Sequence, residues 1–173
     1  MVGADGGPFR PHRLGYAVRS LDLNVIAVGT RMPAWVGDGW NEYARRLPPH
    51  LKLKLLEVPA SGKASGPENR LSEGRRLLSR CPNGGIAVAL DAGGQAWSTR
   101  QLAERFEQWQ DDGGPVSFLI GGAEGLSAPV LEQCHLRWSL GPLTLPHLLV
   151  RVIVAEQLYR AHTILAGHPY HRA

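Results

Sequence analysis

Residues 86–90 read Ile-Ala-Val-Ala-Leu, and residues 116–122 read Val-Ser-Phe-Leu-Ile-Gly-Gly. A strand with one wet face alternates apolar and polar residues. A nearly continuous apolar run instead marks a strand covered on both faces, the usual condition of a parallel sheet. Parallel neighbours need crossover connections, usually helices, and the chain supplies them on either side. Behind the first run, Ser98 and Gln101 form a capping box, and Leu102, Ala103, Phe106 and Trp109 share one helical face. Towards the N-terminus, residues 68–80 read as a helix. In residues 51–55, Leu51, Leu53 and Leu55 alternate with Lys52 and Lys54, a strand with one wet face near a sheet edge. Trp35, Trp40, Tyr43 and Leu47 suggest a helix stopped by Pro48-Pro49, and residues 23–28 form an apolar strand ending at Gly29.

Towards the C-terminus, a short helix is expected after Ser127, with the serine hydroxyl as its cap and Pro129 in its first turn. A strand at 137–140, the loop GPLTLPH at 141–147 and a long helix to Gly167 follow. The alternation predicts an α/β fold, a mostly parallel sheet with helices on both faces, in one domain at residues 21–173. Residues 1–20, rich in Gly, Pro and Arg and without periodicity, read as a flexible N-terminal extension.

Composition narrows the function classes. The longest apolar run, residues 148–164, is interrupted by Arg151, Glu156, Gln157, Arg160 and His162, so no membrane span is expected. Cys81 and Cys134 form neither a CxxC pair nor a disulfide framework, and a reducing, cytosolic setting is the expectation. The formal charge of +4 permits a nucleic-acid partner. It does not argue for one, because half the surplus lies in residues 1–20, where Arg10, Arg13 and Arg19 oppose only Asp5. The helix carrying Arg70, Arg75, Arg76 and Arg80 is the most basic. It reads either as a solvated face or as a surface for phosphates.

Ligands of open α/β sheets bind beyond the carboxyl ends of the strands, which selects three segments: 90–94 (LDAGG), 120–125 (IGGAEG) and the GPLTLPH loop. Gly29-Thr30-Arg31-Met32-Pro33 follows the first strand where a dinucleotide fold needs GxGxxG, and residues 121–127 lack the lysine of a phosphate loop. A nicotinamide or nucleoside-triphosphate enzyme is therefore disfavoured. Gly121-Gly122 reads as a tight turn, where glycine permits φ > 0, or as backbone lying against a ligand. Leu143 and Leu145 in the GPLTLPH loop offer an apolar slot, and the loop's backbone N–H and C=O groups could read the edge of a purine. His135, His147, His162, His168 and His171 crowd the last third without metal-ligand spacing. No metal is expected. Acid–base or RNA-contacting roles suit the exposed end, where His168, Tyr170, His171 and Arg172 fall together. In the long helix, Glu156, Gln157, Arg160 and Thr163 group on one side and Arg151 with His162 on the other, with apolar strips between. Two strips predict a homodimer interface; burial within a single chain is the alternative.

The segments LIGGAEGL (119–126), WSLGPLTLPH (138–147) and VRVIVAEQLYRAHTILAGHPYHR (150–172), with VGTRMP (28–33) and Trp35, resemble the RlmH family, the ribosomal RNA large-subunit methyltransferases H of the SPOUT class. The resemblance covers about residues 22–173. It implies an α/β domain with a C-terminal trefoil knot, S-adenosylmethionine as cofactor and a homodimer. The implied partner is large-subunit ribosomal RNA in the ribosome, methylated at N3 of a pseudouridine in 23S RNA, with no membrane or DNA partner. By motif, Leu90, Gly121, Gly122, Gly141, Pro142, Leu143, Thr144, Leu145 and Pro146 would wrap the cofactor. His147, His168, Tyr170, His171 and Arg172 would face the RNA base, from the same or the partner subunit. Three features depart from the pattern: Gly141-Pro142 in place of Ser-Ala, Ala123 in place of a common proline, and residues 1–20. A rival reading is a non-catalytic ribosome-binding or assembly factor that uses Arg70, Arg75, Arg76 and Arg172. A related enzyme acting on transfer RNA is a third.

Overall fold

The computed structural model describes residues 19–62 and 66–171, and of His171 the backbone alone. Its order is β1 (Leu21–Val28), α1 (Ala34–Ala44), β2 (Leu51–Val58), α2 (Pro67–Ser79), β3 (Ile86–Ala96), α3 (Thr99–Asp112), β4 (Val116–Ile120), α4 (Ala128–Gln133), β5 (Leu136–Ser139) and α5 (His147–Leu165). A 3-10 turn at Pro169–His171 follows. The five strands form one sheet in the order β2-β1-β4-β3-β5, with every pairing parallel. The expected parallel α/β architecture is what forms, and the Leu/Lys strand β2 lies at an edge.

Alternation along the central strands builds two cores. Leu23, Val25 and Ala27 of β1 and Val116, Phe118 and Ile120 of β4 pack with Trp40 of α1, Phe106 of α3 and Leu158 of α5. Ile26 and Val28 face the other way with Leu119, against Leu77 of α2 and Val130 of α4. Helices α1, α3 and α5 therefore cover one face and α2 and α4 the other. Because β1 and β4 are buried on both sides, they read as continuous apolar runs.

The capping box of α3 forms as expected: Ser98 Oγ accepts from Gln101 N–H at 3.2 Å, and Gln101 Oε1 accepts from Ser98 N–H at 2.8 Å. Ser98→Ala is expected to cost about 1 kcal/mol, read as a lower urea midpoint at unchanged slope. The cap expected at Ser127 does not form. Val130 N–H donates to the Ser127 carbonyl at 3.0 Å, while Ser127 Oγ is buried without a partner. That oxygen lies only 2.8 Å from where a Cβ on Gly74 of α2 would stand, so packing between α2 and α4 decides its direction.

Strand β3 runs past its expected end at Leu90. Leu90 and Gln95 both register with Trp138, so residues 91–94 loop out between them. Gly94 permits the return, since a Cβ there would stand 2.7 Å from the Arg137 carbonyl oxygen.

The two apolar strips of α5 have partners within the chain. One side meets α1, where Tyr159 packs on Tyr43 with ring centroids 6.2 Å apart and Val152 stands against Gly39. The other meets α3, where Thr99 donates to Gln157 Oε1 at 3.2 Å. Both strips thus have partners within the chain, with Leu149 and Ile153 left partly exposed, and Arg151 is completely buried rather than on a wet face. Past α5, Gly167 takes φ +67. Its N–H donates to the Ile164 carbonyl, and that of His168 to the Thr163 carbonyl at 2.9 Å, a Schellman turn that folds the chain back on α5.

Of the expected extension, residues 1–18 lie outside the described residues. Arg19, near its end, donates to the Asp111 carbonyl at 2.8 Å, a cation at the carboxyl end of α3 where the helix dipole favours one. Cys81 and Cys134 are free thiols, and burial, with Cys81 nearby, pushes the Cys134 thiol up to about 11. Among the described residues no helix is long and apolar enough to cross a membrane, and no cluster of three metal-ligating side chains occurs.

Candidate active site

Strands β3, β4 and β5 lie side by side and end at the same edge of the sheet, where an open cleft of about 520 Å³ begins. Leu90 at the bend in β3, Ile120 at the end of β4 and Trp138 in β5 line its floor. The turn after β4 gives one wall through Gly121, Gly122, Ala123 and Gly125, and the loop between β5 and α5 gives the opposite one. The three segments selected from sequence thus converge on one cavity. Of the residues assigned to the cofactor, Leu90, Gly121, Gly122, Gly141, Leu143, Thr144, Leu145 and Pro146 line it, and Pro142 does not.

The tight turn forms, closed between Gly122 and Gly125, but the glycine pair is not required by φ. Positive φ falls on Gly125 (+75) and Gly141 (+114), not on Gly121 or Gly122. A Cβ on Gly121 would stand 2.5 Å from the Gly125 carbonyl oxygen and 2.9 Å from Leu126 N, and one on Gly122 would press on Glu73 and Val28. Close packing of the turn on itself and on α2 is enough to exclude side chains here. Opposite, Ser139 Oγ bonds both the N–H and the carbonyl of Gly141 at 3.2 Å, anchoring the start of the loop. Leu143 at its tip is 75% exposed.

Among the described residues, two ionisable side chains line the cleft, Asp91 and His147. Asp91 pairs with Arg137 at 2.5 Å. Among the described residues no lysine or arginine lines the cleft, and its apolar side chains and peptide groups suit an uncharged aromatic ring better than a phosphate.

His147 opens α5 at the rim of the cleft. Its Nε2 is 3.9 Å from the position of a Cβ on Gly29. Burial first, then the Arg151 cation, push its pKa below the ordinary histidine value, while Glu73 pulls the other way. At neutral pH the ring is a neutral imidazole, able to accept a proton. His135 and His162 take structural places: His135 Nδ1 accepts from Ala87 N–H at 3.1 Å, and His162 meets His50 edge-on.

His168 and Tyr170 do not line the cleft of their own chain. Tyr170 packs edge-on against Tyr159, 4.8 Å between centroids. Its hydroxyl donates to Glu156 Oε1 at 3.2 Å, and Arg160 lies over its ring at 5.0 Å. Glu156 is nine residues beyond His147, about 14 Å along a helix rising 1.5 Å per residue. Burial and its neighbours push the Tyr170 phenol up to about 12, so it is a donor and a packing surface rather than a base. Nothing is described of the His171 side chain, and Arg172 lies outside the described residues.

The model for "Predicted SPOUT methyltransferase" matches residues 21–171. A protein of Azotobacter vinelandii named ribosomal RNA large subunit methyltransferase H is 50% identical over 155 residues, covering 88% of this chain and all of that one. A Pseudomonas putida protein of the same name is 48% identical with the same coverage. The chain belongs to the RlmH family of SPOUT methyltransferases. Among solved structures, a probable methylase family protein from Haemophilus influenzae superposes with a TM-score of 0.53 at 15% identity, over 89% of this chain and 71% of that one. That likeness bears on the fold alone.

Sequence reading missed several residues of the site. Trp138 and Val150 line the cleft, Arg151 of α5 and Glu73 of α2 act on His147, and Glu57 of β2 pairs with Arg151. One signal was available for Arg151, a lone cation within the apolar stretch 148–155. For Glu57 and Glu73 there was none, because only strand pairing and helix docking bring them near.

Proposed function

We propose that this chain transfers the methyl group of S-adenosylmethionine to N3 of a pseudouridine in 23S large-subunit ribosomal RNA, as a homodimer in the cytoplasm. The observation that carries the reading is identity near one half across the whole length of relatives bearing the large-subunit methyltransferase name. The chemistry of the cleft supports it. Leu90, Leu140 and Leu145 offer an apolar seat for the adenine, and the peptide groups of residues 141–146 can read its edge. Bound there, the cofactor would supply an electrophilic sulfonium methyl group.

The N3–H of the target ring is mostly protonated at neutral pH. Transfer needs a base to take that proton or a cation to steady the charge that replaces it. Neutral His147 at the rim is the acceptor in reach of the cleft, and His171 and Arg172 supply ring and cation from the tail, with Tyr170 beside them. Holding the methyl donor and the ring nitrogen in line accounts for much of the acceleration. Because Tyr170 lies far from the cleft of its own chain, the tail would complete the site of a second copy. Leu149 and Ile153, half-exposed on α5, and Trp35, 60% exposed, offer that copy an apolar surface. The trefoil threading of the family belongs to the same proposal.

The test is incubation of the purified protein with methyl-labelled S-adenosylmethionine and ribosomes lacking the modification. The expected product is labelled N3-methylpseudouridine in digested 23S RNA. No label, under conditions where an authentic relative transfers it, overturns the reading. Calorimetry with the cofactor addresses the alternative of a non-catalytic assembly factor, which requires no binding at the cleft.

A further inference from the structure

Arg151 is the largest fully buried side chain among the described residues, and its guanidinium lies beneath the segment that leaves β1. Nη2 donates to the carbonyl oxygens of Val28 at 2.8 Å and Gly29 at 2.7 Å. Nη1 donates to Glu57 Oε1 at 2.6 Å and faces Met32 Sδ at 3.8 Å. Nε–H is buried without an acceptor. A cation is expensive to bury and persists only where its partners are fixed, and here they are two backbone carbonyls and a carboxylate at the ends of adjacent strands. Arg151 also follows His147 by one helical turn, on the same face of α5. The fork therefore ties three things together: the exit of β1, the end of β2 and the first turn of α5.

We propose that Arg151 is a positioning residue for the reaction, holding His147 at the rim of the cleft and the neighbouring Gly29–Met32 segment as one rigid unit. Nη2 lies 3.4 Å, and His147 Nε2 3.9 Å, from the same point beside Gly29, so the two groups converge on the segment that Arg151 holds. Neither the guanidinium nor Glu57 lines the cleft; its walls are built by other segments. The fork thus acts through His147 and leaves those walls largely alone. The charge acts in the same direction as the geometry. The cation helps keep the His147 ring neutral, opposed by Glu73 from α2, and Glu57 of β2 is already engaged by the guanidinium. Arg31, on the same segment, is exposed.

This inference rests on the proposed role of His147, so its experiment has a readout independent of transfer. In Arg151→Met, NMR titration of the His147 ring is expected to show its pKa moving up towards 6.5. Cofactor affinity should stay near the wild-type value while kcat falls about 100-fold, the scale of a displacement of roughly 1 Å at a reacting group. Arg151→Lys, which keeps the charge but not the fork, should leave the titration nearly unchanged and still lower kcat. Glu57→Gln loosens the anchor without removing the cation and serves if the methionine variant does not fold; a smaller fall in kcat is expected. Wild-type rates in a folded Arg151→Met or Arg151→Lys, or in Glu57→Gln, overturn the proposal. So does a loss of cofactor affinity equal to the loss of rate, or an unmoved His147 titration in the methionine variant. If the wild-type protein transfers no methyl group, the proposed function fails, and the titration alone decides for or against Arg151.

Discussion

Gly121→Ala is expected to abolish measurable binding of S-adenosylmethionine and to lower stability by about 2–3 kcal/mol, the upper range for overpacking a tight site. The added Cβ would stand 2.5 Å from the Gly125 carbonyl oxygen and 2.9 Å from Leu126 N. Both are backbone atoms, so no rotamer change relieves the clash, and the turn must open. That turn is closed by Gly125 N–H donating to the Gly122 carbonyl at 3.0 Å, and four of its residues form one wall of the cleft. Opening it moves the wall. Gly66→Ala is the control: Gly66 has extended backbone at φ 174, and a Cβ there meets no atom within 4 Å. Urea unfolding and calorimetry on both variants check the expectation. Wild-type stability and affinity in Gly121→Ala would contradict this account of the turn.

Truncation after Pro169 is expected to leave cofactor affinity close to that of the full chain and to reduce methyl transfer by about 1,000-fold or more, the scale of losing positioned acid–base groups. The structure separates the two halves of the site. The cleft is formed by segments ending at Val150, whereas Tyr170 is held farther along α5 by Tyr159, Glu156 and Arg160. Removing the tail leaves every residue of the cleft in place. Tyr170→Phe is a milder variant: it keeps the edge-on ring contact and removes only the bond to Glu156. Mixing subunits that lack the tail with His147→Ala subunits provides the decisive measurement. If the tail of one copy completes the cleft of the other, mixed dimers recover activity that neither parent has. Equal loss of cofactor affinity and transfer on truncation would refute the division of roles.

The sequence by itself determined the sheet and its coverings. Runs such as IAVAL and VSFLI are legible because a strand buried on both faces must be apolar at nearly every position, and the capping box of α3 is legible because both partners lie within four residues. The three segments of the cleft were legible for a related reason: in a parallel sheet, the segments leaving the carboxyl ends of the strands share one edge. What the sequence misjudged were contacts set by packing between distant elements. Ser127 has the right residue type and place for a cap, yet its hydroxyl turns against Gly74. Gly121 stands in a tight turn as expected, yet what requires glycine there is the approach of backbone four residues away, not φ.

Arg151 marks the boundary most clearly. Periodicity placed it on a polar strip of α5, because a helical wheel records spacing along one element and carries no information about what docks against it. Only the tertiary structure set two strand-end carbonyls and Glu57 around its guanidinium, and so converted an arginine that looked solvated into the buried tie between β1, β2 and His147. The tail follows the same rule. Its residue types suggested contact with a base, and the Schellman turn at Gly167 and the packing of Tyr170 on Tyr159 decided that Tyr170 lies away from the cleft of its own chain.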